Sequence, residues 1–167
     1  MFMASKQWRR LFLIAGGVVL VDQITKWLVI LHLPLYRFSG DSVSLIPGLF
    51  SLTHIRNTGG AFGLLADLSP LFRGIIFLGL ATVAAVLLIY LYLKTPPTYV
   101  WLAGALAAIL GGALGNLIDR FRFGYVVDFF DFYVGNWHWP FFNFADSAIT
   151  IGVTIFVIHL VFNKMPG

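Results

Sequence analysis

The 167-residue chain contains no cysteine and no glutamate, and little charge of either sign. Without cysteine there is no thiol nucleophile, no disulfide and no cysteine-ligated metal. Without glutamate, a His-Glu-x-x-His zinc protease and a glutamate di-iron bundle are both excluded. A Gly-x-Ser-x-Gly elbow is missing as well. The four histidines, His32, His54, His138 and His159, lack the spacing of a metal-ligand set, so neither metal nor cofactor is implied. Charged residues make up 11% of the chain, where a soluble domain carries about 25%.

What remains is apolar. Hydrophobic residues account for 59% of the chain, and the mean hydropathy is +0.89. Such a chain belongs in lipid, here as one domain over residues 1–167. The net charge of +4 comes from scattered basic residues, which suits anionic headgroups better than nucleic acid. All seven acidic residues are aspartates: Asp22, Asp41, Asp67, Asp119, Asp128, Asp131 and Asp146.

Four apolar windows approach or exceed the roughly 20 residues that cross a bilayer. They run over residues 11–31, 71–93, 98–118 and 141–162. The first is too long, and too interrupted by Asp22 and Lys26, to be a cleaved signal peptide. Lys94-Thr95-Pro96-Pro97 joins the second and third as a tight hairpin. An even number of spans puts both termini on one side, and Lys6, Arg9 and Arg10 argue that this side is the cytoplasm. Two segments then face outward. Residues 32–70 carry Pro47-Gly48 as a turn between two short strands. Residues 120–140 belong to the stretch 121–144, in which 12 of 24 residues are aromatic, and are expected at headgroup level. The fold expected is mainly α: a polytopic membrane protein with four transmembrane helices and an interfacial aromatic segment.

The polar residues in this apolar chain are the candidates for chemistry. Asp22 and Lys26 are four apart, on one face of the first span, and form an intramembrane ion pair or the wall of a site. Burial can depress a lysine enough to make it a base, but Asp22 alongside holds Lys26 charged. The glycine-rich run Asn57-Thr58-Gly59-Gly60-Ala61-Phe62-Gly63 is not followed by Lys-Ser/Thr and is therefore no P-loop. It is a turn, or a substrate loop in which Asn57 bonds a peptide backbone. Gly111 and Gly115 form a Gly-x-x-x-Gly packing face. Asp119 and Arg120 are helix neighbours that must find different partners; an end anchor and a substrate-binding role for Arg120 stand level. Asp131 is expected to be solvated.

Asp128, in Val126-Val127-Asp128-Phe129-Phe130, and Asp146, in Phe142-Asn143-Phe144-Ala145-Asp146, make the sharpest pair. Asp146 is expected about 8 Å into the last span at 1.5 Å per residue, close to the same outer interface as Asp128. A carboxylate among apolar neighbours is costly unless paired, protonated or used. Two close together can share one proton, as an acid–base hydrolase requires. On physical grounds hydrolysis and proton or ion movement stand nearly level, with helix pairing behind them.

Five ordered motifs then carry a resemblance: Val21-Asp22-Gln23-Ile24-Thr25-Lys26, Arg56-Asn57-Thr58-Gly59-Gly60-Ala61-Phe62, Gly111-Gly112-Ala113-Leu114-Gly115-Asn116-Leu117-Ile118-Asp119-Arg120, Val126-Val127-Asp128-Phe129 and Phe142-Asn143-Phe144-Ala145-Asp146. Over nearly its whole length the chain resembles bacterial lipoprotein signal peptidase, or signal peptidase II. It departs at Gly60, where the family more often has alanine. The resemblance implies an aspartic endopeptidase of the bacterial inner membrane, with a small extracytoplasmic β-structured cradle. It would cut lipid-modified prolipoproteins before the diacylglyceryl-modified cysteine. It implies Asp128 and Asp146 as the catalytic pair, and Asn57, Asn116, Arg120 and Asn143 as substrate-positioning residues. Asp22, Lys26, Asp119 and Gly59 would support them. Membrane lipids, a cyclic peptide inhibitor of the globomycin type and a monomeric state complete the expectation, with no nucleic-acid partner.

Overall fold

The computed structural model describes residues 2–37, 39–59 and 69–162. Four long helices carry the chain: α1 (Phe2–His32), α2 (Pro70–Lys94), α3 (Val100–Phe123) and α4 (Phe144–Phe162). All four are long and apolar enough to cross a membrane, so the protein is multi-pass and membrane-embedded. Four strands form one antiparallel sheet in the order β1 (Val43–Ile46), β2 (Phe50–Asn57), β3 (Val126–Val134), β4 (Trp137–His138).

Local sequence sets the boundaries. Pro70 opens α2 at a position where its missing N–H costs nothing. The helix stops at Thr95, before Pro96, because a residue preceding proline disfavours the helical region. Gly124 closes α3 in the left-handed region (φ 75°), and its N–H bonds back to Arg120 O at 2.9 Å. Gly48, with φ 77°, makes the turn between β1 and β2, as expected from Pro47-Gly48.

Two boundaries differ from those read from hydropathy. The third helix runs on to Phe123, so Asp119 and Arg120 lie within its last two turns. The fourth begins at Phe144 rather than 141, because Phe142 is held by β3: its N–H and C=O both bond to Phe130, and its C=O also accepts from Phe129. Over residues 126–134 the aromatic stretch is strand.

Helix α3 is the centre of the bundle and packs against α1, α2 and α4. Its small residues allow this. A Cβ at Gly115 would lie 2.6 Å from Asp22 Oδ2 of α1, and one at Gly112 would collide with Ala145 O of α4. The buried core of Leu11, Tyr92, Leu102, Ala103, Leu106, Ala107 and Leu110 fills one end of the bundle. A second cluster, Val29, Val127 and Phe129, joins α1 to the sheet. Between the two clusters lies a polar centre.

Candidate active site

Asp128 projects from β3, where Val126, Val127 and Phe129 around it are all buried. Asp146 sits in the first turn of α4. That turn is capped reciprocally: Asp146 N–H donates to Asn143 Oδ1 at 3.0 Å, and Asn143 N–H donates to Asp146 Oδ2 at 3.1 Å. This is a capping box with aspartate in the usual Glu/Gln place. The later helix start corrects the expected depth, since Asp146 is at the helix mouth and not a turn and a half inside.

Asparagines tie the two carboxylates into one unit. Asn143 Nδ2 donates to Asp128 Oδ1 at 2.7 Å, and Asn57 Nδ2 donates to Asp128 Oδ2 at 2.8 Å. Asn116 Nδ2 donates to Asp146 Oδ1 at 2.7 Å, and Asn143 Nδ2 reaches Asn116 Oδ1 at 3.2 Å. The Asn57 side chain also accepts from Gly59 N–H at 3.0 Å, which shapes the start of the glycine-rich run. Gly60, Ala61, Phe62, Gly63 and Asp67 lie outside the described residues.

Both aspartates open onto one cavity of about 950 Å³. Its wall includes Asn57, Gly59, Asn116, Arg120 and, from the aromatic stretch, Trp139 and Phe142. Asn143 is fully buried, and its amide is committed to the carboxylates. Arg120 lies over the Phe77 ring with its guanidinium carbon 4.5 Å from the centroid, and it donates to Asn116 O at 3.3 Å. Burial, and next the negative charge of Asp146, push the Asp128 carboxyl up to about 7, against the opposing pull of the Asn57 and Asn143 hydrogen bonds. A carboxyl so placed can keep a proton near neutral pH and give it up during a reaction.

Beside this pair lies the cluster foreseen on the first helix, with more members than the sequence suggested. Lys26 Nζ is 2.9 Å from Asp22 Oδ2, 2.9 Å from Asp119 Oδ2 and 2.9 Å from Asn116 Oδ1. Gln23 joins it by donating to Asp119 Oδ1 at 2.9 Å. Gln23 stood in the sequence motif beside Asp22 but carried no signal of its own. Asp119 and Arg120 do find different partners, as neighbours on a helix must.

Asp131 corrects its expectation. It is 5% exposed rather than solvated, because it stands within β3 and not in an unwinding segment. Its Oδ1 meets His138 Nδ1 at 2.8 Å across the β3–β4 pair.

Fold and site together define a class: a multi-pass membrane protein whose polar centre is a linked pair of carboxylates opening on an apolar-walled cavity. The comparisons with known proteins give the family. The family described as signal peptidase (SPase) II matches residues 14–162. The lipoprotein signal peptidase of Desulforapulum autotrophicum is 52% identical, covering 94% of this chain and 94% of its own. That of Syntrophus aciditrophicus is 45% identical over 90% of this chain and 92% of its own. A solved bacterial membrane enzyme superposes with a TM-score of 0.79 at 34% identity, covering 94% of this chain and 92% of that one. The chain belongs to the signal peptidase II family of aspartic-type endopeptidases that process lipoproteins.

Proposed function

We propose that this chain removes signal peptides from prolipoproteins by hydrolysing the bond before a diacylglyceryl-modified cysteine, with Asp128 and Asp146 as its catalytic pair. The observation that carries the reading is the asparagine-linked pair on one cavity wall. Two close carboxylates do not both ionise cheaply, and the scheme assigns the shared proton to Asp128, whose carboxyl burial and the Asp146 charge push up to about 7.

Ionised Asp146 takes a proton from a water placed between the two groups. The water oxygen attacks the scissile carbonyl carbon while Asp128 gives its proton to the carbonyl oxygen. The resulting gem-diol collapses: Asp146 passes its acquired proton to the leaving amine nitrogen, and Asp128 recovers one from the diol hydroxyl. The peptide bond is replaced by a carboxyl group and an amine, and the pair returns to its starting state. Asn57, Asn116 and Arg120 position the substrate from the cavity wall, and Asn143 does so through Asp128. Asp22, Lys26, Asp119 and Gly59 support the arrangement. No cofactor enters the scheme.

The diacylglyceryl chains stay in lipid beside the helices while the peptide crosses the interface to the pair. The enzyme acts as a monomer in the bacterial inner membrane, with both termini cytoplasmic and the cavity near the outer leaflet. Lys6, Arg9 and Arg10 support that orientation.

Purified protein should cleave a lipidated precursor peptide and leave the same peptide without lipid intact. A cyclic peptide of the globomycin type should stop the reaction. Equal cleavage of both peptides, or of neither, overturns the assignment.

A further inference from the structure

The cluster around Lys26 is arranged in more detail than holding two helices together requires. Lys26 is 2% exposed, and its ammonium has three donors. Asp22, Asp119 and Asn116 each take one at 2.9 Å. An ion pair between α1 and α3 needs no more than one of these contacts. The two carboxylates also do something further. Asp22 Oδ1 accepts the N–H of Ala145 at 3.0 Å, and Ala145 immediately precedes Asp146. Asp119 Oδ2 accepts the N–H of Val127 at 3.0 Å, and Val127 immediately precedes Asp128. Each flanking carboxylate therefore clamps the backbone amide just before one member of the pair.

The third contact fixes an orientation. An asparagine amide can sit either way round, but an ammonium donates and never accepts. Lys26 therefore demands the oxygen of Asn116, which turns Nδ2 of Asn116 toward Asp146, where it donates at 2.7 Å.

We propose that Lys26 is a positioning residue for the aspartate pair: through Asp22 and Asp119 it holds the two strands of chain that carry Asp146 and Asp128, and through Asn116 it aims a hydrogen bond at Asp146. The inference rests on the assignment of that pair as catalytic. It gives the motif Asp22-x-x-x-Lys26 a role in setting the geometry of catalysis, beyond joining helices. Among the described residues, the charged groups that act on the pair are Asp22 and Lys26 from α1 and Arg120 from α3.

The test is the charge-matched variant Lys26→Gln/Asp119→Asn, which removes the ammonium without leaving an extra buried carboxylate. It is measured beside wild type and Asp128→Asn, with rates taken per folded molecule. A misplaced reacting group costs on the order of 100-fold. The expected result is a loss of kcat of about that size with KM within about twofold. If the double variant does not accumulate in the membrane, Asp22→Asn/Lys26→Gln, equally charge-matched and keeping an oxygen for Ala145 N–H, decides by the same readouts. A kcat within about twofold of wild type, while Asp128→Asn is inactive, overturns the inference and leaves the pair intact. Activity in Asp128→Asn overturns the pair and the inference with it.

Discussion

Asp128 and Asp131 stand three residues apart on one strand, each followed by phenylalanine and each buried. Strand side chains alternate, so an odd spacing sends them to opposite faces of the sheet. Asp128 meets three amide-bearing elements: Asn57 at the end of β2, Asn143 at the mouth of α4, and through Asn143 the Asn116 of α3. Among the described residues, the Asp131 carboxylate meets His138 on the next strand. One carboxylate has a second carboxylate and a cavity in front of it; the other has the His138 ring beside it. Burial alone therefore does not single out a candidate for acid–base chemistry. What singles out Asp128 as the candidate is a second carboxylate linked to it through neutral hydrogen-bond donors.

The contrast can be strained from both sides. Replacing the neighbour of each aspartate should give the widest separation. Asp146→Asn should lower cleavage of a lipidated precursor by about 1000-fold, the scale of a lost acid–base partner, while His138→Ala should stay within about threefold of wild type. Initial rates on purified protein, corrected for the folded fraction, check this. A large loss in both would merge the two regions into one functional unit.

A smaller effect concerns pH. Asp128 must be protonated in the free enzyme for the proposed scheme, and its carboxyl is held at about 7. Raising the pH through that value removes the proton, so kcat/KM should fall about tenfold per unit above it. The wild-type profile should show this limb, and Asp131→Asn should show the same limb in the same place. A limb that moves with Asp131→Asn would mean that the His138 pair is electrically coupled to the site.

The smallest effect is the one expected of Asp131 itself. Asp131→Asn keeps an oxygen to face His138 and should leave kcat within about twofold, at a stability cost of about 1 kcal/mol read as a lower thermal midpoint.

Much of the fold was legible because membranes impose simple rules. The four helices show as apolar runs of bilayer length, and Pro47-Gly48 gave the turn between β1 and β2. The boundaries near the site were harder. Hydropathy could not see that Phe142 bonds to β3, which delays α4 to Phe144 and brings Asp146 to the helix mouth. Nor could local pattern separate strand from loop over 126–134, where aromatic residues favour both strands and interfaces. Asp131 was misplaced for that reason. The pair Asp128 and Asp146 stood out as charges in apolar surroundings, although their choice over Asp119 rested on the resemblance. Asp119 is as deeply buried as either, and no sequence spacing reveals that it faces Lys26 of another helix. Gln23 was missed because its partners, Gly115 and Asp119, lie about ninety residues away in the chain.

A catalytic role for Asp128 is read most directly from the two aspartates of β3. Asp128→Asn and Asp131→Asn, purified side by side and shown to be folded, should be given the same lipidated precursor in single-turnover assays. The prediction is no cleavage above background for Asp128→Asn and a near-wild-type rate for Asp131→Asn. Near-wild-type cleavage by Asp128→Asn would contradict it.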